Sequence, residues 1–186
     1  SDVSKASSLD ASDRKVLGSS MPTWYGGWNN TVSYKNFDLN VFFRFSGGNK
    51  IMNASRQSAL FNMDFSNNGT EILGRWVSPE QPGDGMTPKI GYGDASSLFN
   101  DGYTDSHFVE SGNYLKLSTL ALGYTLPKAV VSKLNMTKIR FYVQGQNLLT
   151  ITGYSGLDPE TNSRLGVDWN GMPQQRSFTF GANITF

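Results

Sequence analysis

The stretch RSFTFGANITF, residues 176–186, alternates without a break. Phe178, Phe180, Ala182, Ile184 and Phe186 fall on one parity, and Ser177, Thr179, Gly181, Asn183 and Thr185 on the other. Successive side chains of a strand point to opposite faces, so the pattern specifies a strand with one apolar and one polar face. It recurs upstream: Phe37, Leu39, Val41, Phe43 and Phe45 oppose Asp38, Asn40, Arg44 and Ser46, with Phe42 as the exception. Farther along, Ile139, Phe141 and Val143 oppose Arg140, Tyr142, Gln144 and Gln146. WYGGWNNTVSY before Lys35–Asn36 and GNYLKLSTLALGYTLP before the KAVVSKLNM turn complete a set of about five strands. Lys35 and Asn36 alone separate the first two, a spacing typical of a tight hairpin.

The segments between the strands divide into short and long. Residues 1–22 are polar and aperiodic and read as a loop or tail; residues 23–186 hold the strands, interrupted by long loops at 47–111 and 154–175. Within the first loop, NKIMNASRQSALFN is compatible with a helix, and TEILGRWVSPEQPGDGMTP with a helical turn stopped by Pro79 and Pro82. Loops of this length in a compact domain point to function. Residues 1–15 lack the basic and then apolar order of a signal peptide, as expected of a mature chain or of an internal or C-terminal piece of a longer one.

Alternation alone fits two all-β architectures. In a soluble sandwich the apolar faces meet in a core; in an outer-membrane barrel they meet lipid while the polar faces line a lumen. Hydrophobic residues make up 38% and aromatics 13%, an aromatic-heavy mixture without long apolar runs, which suits strands better than spanning helices. Strands of about ten residues match a tilted crossing of the hydrocarbon layer. Connections alternate short and long, the asymmetry of periplasmic turns and extracellular loops. Tyr34, Phe37, Tyr124 and Phe186 collect on the short-turn side, where an interfacial girdle belongs. The barrel reading therefore leads, with Phe37, Leu39, Val41, Phe43, Phe178, Phe180, Ile184 and Phe186 facing lipid and Arg140, Tyr142, Gln144 and Gln146 facing the lumen. A soluble carbohydrate-binding β-sandwich module is the alternative.

Four stretches carry a resemblance: PTWYGGWNNTVSYKNFDLNVFFRFSGGNKI, ESGNYLKLSTLALGYTLP, IRFYVQGQNLLTITGYSGLDPE and the terminal RSFTFGANITF. In this order, from about Asp13 to Phe186, they resemble the C-terminal part of SusC/RagA-type TonB-dependent outer-membrane transporters. The resemblance implies the C-terminal antiparallel strands of a large transmembrane β-barrel, about 22 strands around a plugged lumen. It implies a SusD-like surface lipoprotein over the barrel and TonB-driven uptake of oligosaccharides or peptides across the outer membrane. The chain departs from the family in having no plug and no TonB-contacting segment. Those parts, the other strands and the contact with the TonB complex are expected in the remainder of a parent chain. A terminal strand ending on an aromatic also looks like the signature by which such barrels are recognised for assembly.

Chemistry of other kinds finds little footing. His107 is the only histidine and there is no cysteine, so a histidine triad or a zinc cluster is not expected. Asp158 and Glu160 flank Pro159 in a turn rather than forming a glycosidase pair. Asp101 and Asp105 have calcium-loop-like spacing without the later Gly and Glu, which leaves a weak surface calcium site open. No enzyme activity, resident metal or cofactor is expected. A net charge of +1 gives no electrostatic argument for nucleic acid or for an anionic membrane surface. Sugar recognition favours flat aromatics beside polar groups, so Arg75 with Trp76, Tyr92 with Asp94, and Trp169 with Asp168 and Asn170 are the candidate ligand contacts on the long loops.

Overall fold

The computed structural model describes residues 14–60, 67–87, 89, 106–160 and 166–186; Tyr92, Asp94, Asp101 and Asp105 lie outside them. Among the described residues eight strands follow in chain order: β1 (Trp24–Tyr34), β2 (Phe37–Gly47), β3 (Lys50–Asn53), β4 (Val109–Ser111), β5 (Tyr114–Thr125), β6 (Lys138–Thr152), β7 (Val167–Asp168) and β8 (Ser177–Thr185). A short helix, α1 (Lys128–Val131), precedes β6. The chain forms two compact units. One comprises Pro22–Gly48, Gly112–Tyr154 and Met172–Phe186; the other comprises Ser1–Met21, Asn49–Ser111 and Ser155–Gly171. Among the described residues no helix is long and apolar enough to cross a membrane.

The first unit is a five-stranded antiparallel sheet in the order β1-β2-β5-β6-β8. Its strands are 11, 11, 12, 15 and 9 residues long. Directly paired residues share a face, so the register sorts the side chains into rows. Tyr34, Phe37, Tyr124, Phe141 and Ala182 form one row, and Val32, Leu39, Leu122, Val143 and Phe180 the next. Asn30, Val41, Leu120, Gly145 and Phe178 make the third row of this apolar face. Phe186 follows β8 by one residue and is exposed.

Two local irregularities make the alternation work. In β5 the apolar residues change parity, Leu115 and Leu117 being odd and Leu120, Leu122 and Tyr124 even. Ser118 is an extra residue relative to β2 at this point, a β-bulge that returns the second set to the face of the first. β6 absorbs a further residue around Asn147, whose φ of 53° is left-handed. Phe42 meanwhile stands on the polar face, where its ring lies over Gly27.

The second unit carries a three-stranded sheet, β4-β3-β7, in which β3 runs antiparallel to β4 and parallel to β7. The helix expected over NKIMNASRQSALFN is found at residues 54–60, but the start of the stretch is not helical. Lys50–Asn53 is strand, because Ile51 and Met52 pair with β4, and Met52 and Asn53 with β7. A π-helical turn, Arg56–Leu60, follows, with the Asn53 Oδ1 accepting from the Arg56 amide at 2.9 Å. Thr70–Gly74 forms a single 3-10 turn ahead of Pro79. Phe108 is wholly buried, with Met52 and Ile72 packed against it.

Candidate functional site

The polar face of the five-stranded sheet is built around β6. Arg140, Tyr142, Gln144 and Gln146 alternate along it, and their neighbours on both sides are small. Thr125, Gly123, Ala121 and Thr119 flank them on β5, and Asn183, Gly181, Thr179 and Ser177 on β8. Long polar side chains thus form a ridge between two low rows.

Glycines let two of these side chains lie flat. Arg140 reaches across Gly123 to pair with Asp38 on β2 through both Nε and Nη2, and a Cβ at Gly123 would collide with Arg140 and Asp38. Tyr142 covers Gly181 in the same way. The Arg140 guanidinium sits 5.3 Å from the Tyr142 ring centroid, a cation–π contact. Farther along the face, Arg44 Nε donates to Ser118 Oγ at 3.0 Å, and Asn40 donates to Asn29 and Thr31 on β1.

A measurable consequence follows for Gly123. Gly123→Val drives the Asp38 carboxylate and the Arg140 guanidinium apart, so the coupling between them, about 0.5–1 kcal/mol for a partly exposed pair, falls towards zero. A double-mutant cycle with Asp38→Asn and Arg140→Gln, run in the parent and in the Gly123→Val background, reads that loss.

In the other unit, Arg75 and Trp76 sit in a small closed loop. The Trp76 amide donates to the Thr87 carbonyl at 2.9 Å and the Asp84 amide to the Gly74 carbonyl at 2.8 Å. Gly83 turns the chain with φ 69°, and a Cβ there would strike the backbone of Gly74 and Arg75. Asp84 ties the turn: its Oδ1 accepts from the amides of Thr87 and Met86 at 2.7 and 2.8 Å, and its Oδ2 from the Thr87 hydroxyl at 2.8 Å. The Lys89 ammonium lies 5.8 Å from the Trp76 ring centroid.

The Thr87 and Met86 amides, followed by the Thr87 hydroxyl, hold the Asp84 carboxyl below the usual carboxylate range. A depressed native value means that the ionised form stabilises the turn at all higher pH and that this support disappears as pH falls through the native value. Proteolytic nicking within residues 74–87 is therefore expected to rise only in strong acid. In Asp84→Asn it is expected to be raised already at neutral pH and to lose that acid dependence.

Asp168, Trp169 and Asn170 come together in one turn at the end of β7. Asp168 is buried, and its Oδ1 accepts from the amides of Asn170 at 2.8 Å and Gly171 at 3.3 Å. Asn170 is left-handed with φ 62°. This leaves Trp169 exposed at the crest. The Asp168 carboxylate shapes the turn, and the indole is what the turn presents. Asp158 does similar work, accepting from the Glu160 amide at 3.0 Å, and His107 packs edge-on against Phe108.

One residue absent from the sequence reading organises this unit. Glu110 accepts from the Ser155 amide at 2.8 Å and the Ser155 hydroxyl at 2.6 Å, from Asn53 at 3.4 Å, and pairs with Arg56 at 3.4 Å. Arg56 also pairs with Glu71 at 2.8 Å. Burial opposes its charge, but Glu71 and then Glu110 outweigh that and raise its pKa. A lone Glu in a short strand has no periodic signature, so only tertiary contact reveals it.

Comparison with known proteins gives a consistent set. No family model matches the chain. It is 32% identical over 188 residues to TonB-dependent receptor P3 of Formosa agariphila, covering 96% of this chain and 18% of that receptor. It is 25% identical over 194 residues to the TonB-dependent receptor SusC of Bacteroides thetaiotaomicron, covering 96% of this chain and 16% of SusC. The fold superposes on the RagAB peptide importer in its closed-closed state with a TM-score of 0.79 at 26% identity, over 92% of this chain and 18% of that one. For the open-open state the TM-score is 0.74 at 25% identity. The chain thus spans less than a fifth of the length of these relatives.

Proposed function

Because this chain belongs to the SusC/RagA-type TonB-dependent receptors, we propose that it supplies neighbouring C-terminal strands and surface loops of an outer-membrane nutrient importer. The observation that carries this is the exposed apolar face. Trp28, Tyr34, Phe37, Phe141, Phe178 and Phe180 all lie on one side of a single sheet and are all more than half exposed. In water such a face would be covered; in a bilayer it is the outer wall. The strands have the length that a tilted crossing needs. Edge strands in lipid leave backbone groups unsatisfied at several kcal/mol each, so β1 and β8 continue into further strands of a closed barrel.

In this reading Phe37, Leu39, Val41, Phe43, Phe178, Phe180, Ile184 and Phe186 meet lipid. The ridge of Arg140, Tyr142, Gln144 and Gln146 faces the lumen, against the plug or the passing ligand. The ligand is an oligosaccharide or a peptide, met on the outer side by Arg75 and Trp76, Tyr92 and Asp94, and Trp169 on its Asp168–Asn170 turn. A SusD-like surface lipoprotein and the TonB complex are the partners, and the segment performs no bond-making chemistry. Fractionation of cells expressing the full-length chain tests this. The account expects recovery in the outer membrane, release only by detergent, and co-purification with a surface lipoprotein; a detergent-free soluble protein would refute it.

A further inference from the structure

The near-neutral total charge conceals a segregation. The unit holding the five-stranded sheet contains eight Lys and Arg and one acidic residue, Asp38, a formal +7; the other unit contains eight Lys and Arg against fourteen Asp and Glu, a formal −6. Asp38 is committed to Arg140. Of the remaining basic residues in the sheet unit, Lys35, Lys128, Lys133 and Lys138 all belong to the short-turn end.

The geometry holds the two turns side by side. The Thr125 amide donates to the Asn36 carbonyl at 2.8 Å, and the Asn36 side chain donates back to the Thr125 carbonyl at 2.7 Å. This sets Lys35 next to the connection that begins with Leu126, Pro127 and Lys128. α1 and the 3-10 turn Ser132–Leu134 then expose Lys128 and Lys133 together with Val130 and Leu134. The aromatic row Tyr34, Phe37, Tyr124 and Phe141 lies immediately above, and the Lys35 ammonium sits 5.3 Å from the Tyr34 ring centroid.

We propose that this end of the sheet is an anionic-phospholipid docking surface, in which Lys35, Lys128 and Lys133 bind the headgroup phosphates of the leaflet whose acyl chains the aromatic row and Val130 and Leu134 touch. The inference rests on the barrel reading. It goes beyond that reading by assigning a headgroup preference to one rim. Charge complementarity carries it: lysines with no acidic residue of the unit left to balance them, set directly below an interfacial aromatic row, match a negative surface and a hydrocarbon boundary at once. An acidic protein partner would use the lysines but leave the exposed Val130 and Leu134 without a role.

The test uses the full-length chain reconstituted in phosphatidylcholine nanodiscs with and without phosphatidylglycerol, and measures the phosphatidylglycerol enrichment of lipid retained after detergent extraction. The parent is expected to retain phosphatidylglycerol preferentially, and less so at high salt. The enrichment is expected to fall about fivefold for each lysine removed in K35Q, K128Q and K133Q combined, and to persist when the same three are changed to Arg. Equal retention of both lipids, or an enrichment unchanged in the triple Gln variant, would overturn the proposal while leaving the barrel intact. Failure of the parent to enter either nanodisc would overturn the barrel reading and this inference with it.

Discussion

Arginine in place of Leu120 is expected to cut the yield of folded barrel sharply. Leu120 sits in the third apolar row, paired with Val41 and Gly145 and well inside the aromatic row. A guanidinium on the lipid side near the bilayer midplane costs about 2–4 kcal/mol, a large part of the stability of a typical fold. Gln144→Arg is the matched control, because it puts the same side chain on the polar face of the neighbouring strand, beside Ala121 and Thr179. In the full-length chain, heat-modifiable migration of unboiled samples should show mostly unfolded Leu120→Arg and near-normal Gln144→Arg. Equal damage from both would mean that neither face is turned to lipid.

The second large effect is expected from Phe108→Ala. Phe108 is the wholly buried centre on which Met52 and Ile72 pack, and the Arg56 guanidinium lies 5.8 Å from its ring centroid. Removing a buried Phe side chain costs about 3–5 kcal/mol. The strands of the β4-β3-β7 sheet are only three, four and two residues long, so the sheet depends on Phe108 together with buried Ile51 and the Glu110 contacts. Hydrogen exchange at Lys50–Asn53 and Val109–Ser111 should accelerate strongly, and exchange within β5 and β6 should not. The Glu110 contacts to Ser155 depend on β4 being in place, so proteolysis near Ser155 is expected to rise in the same variant.

These two units differ in how far their sequences announce them. The strands of the large sheet are readable because each repeats one local rule: a face that needs five or more apolar residues in a row must show them at period two. Even the departures leave marks. Phe42 breaks the parity of β2 because its ring covers Gly27 on the polar side, and the change from Leu117 to Leu120 records the bulge at Ser118. The small sheet leaves no such record. β3 is four residues long and pairs with partners more than fifty and a hundred residues away, so its local sequence is equally compatible with a helix.

The same contrast holds at the candidate site. The polar ridge on β6 follows from alternation, whereas the reason for Gly123 and Gly181 emerges only when Arg140 and Tyr142 are seen lying across them. Trp169 was visible as a loop aromatic, but Asp168 beside it reads as a ligand contact until its carboxylate is found on the amides of its own turn. Net charge was the least informative quantity of all, because a sum over both units cancels the positive excess of one against the negative excess of the other.

These 186 residues contain no cysteine, so once any cysteine elsewhere in the full-length chain is replaced, site-specific labelling tests the central claim directly. Single cysteines introduced in turn at residues 178–184 of the full-length chain, spin-labelled in the native membrane, report collision with oxygen, which concentrates in lipid, and with a water-soluble nickel complex. The account predicts a strict period of two, with Phe178, Phe180, Ala182 and Ile184 positions favouring oxygen and Thr179, Gly181 and Asn183 positions favouring nickel. Uniform access to nickel along the whole strand would contradict it, because both faces of the sheet would then stand in water.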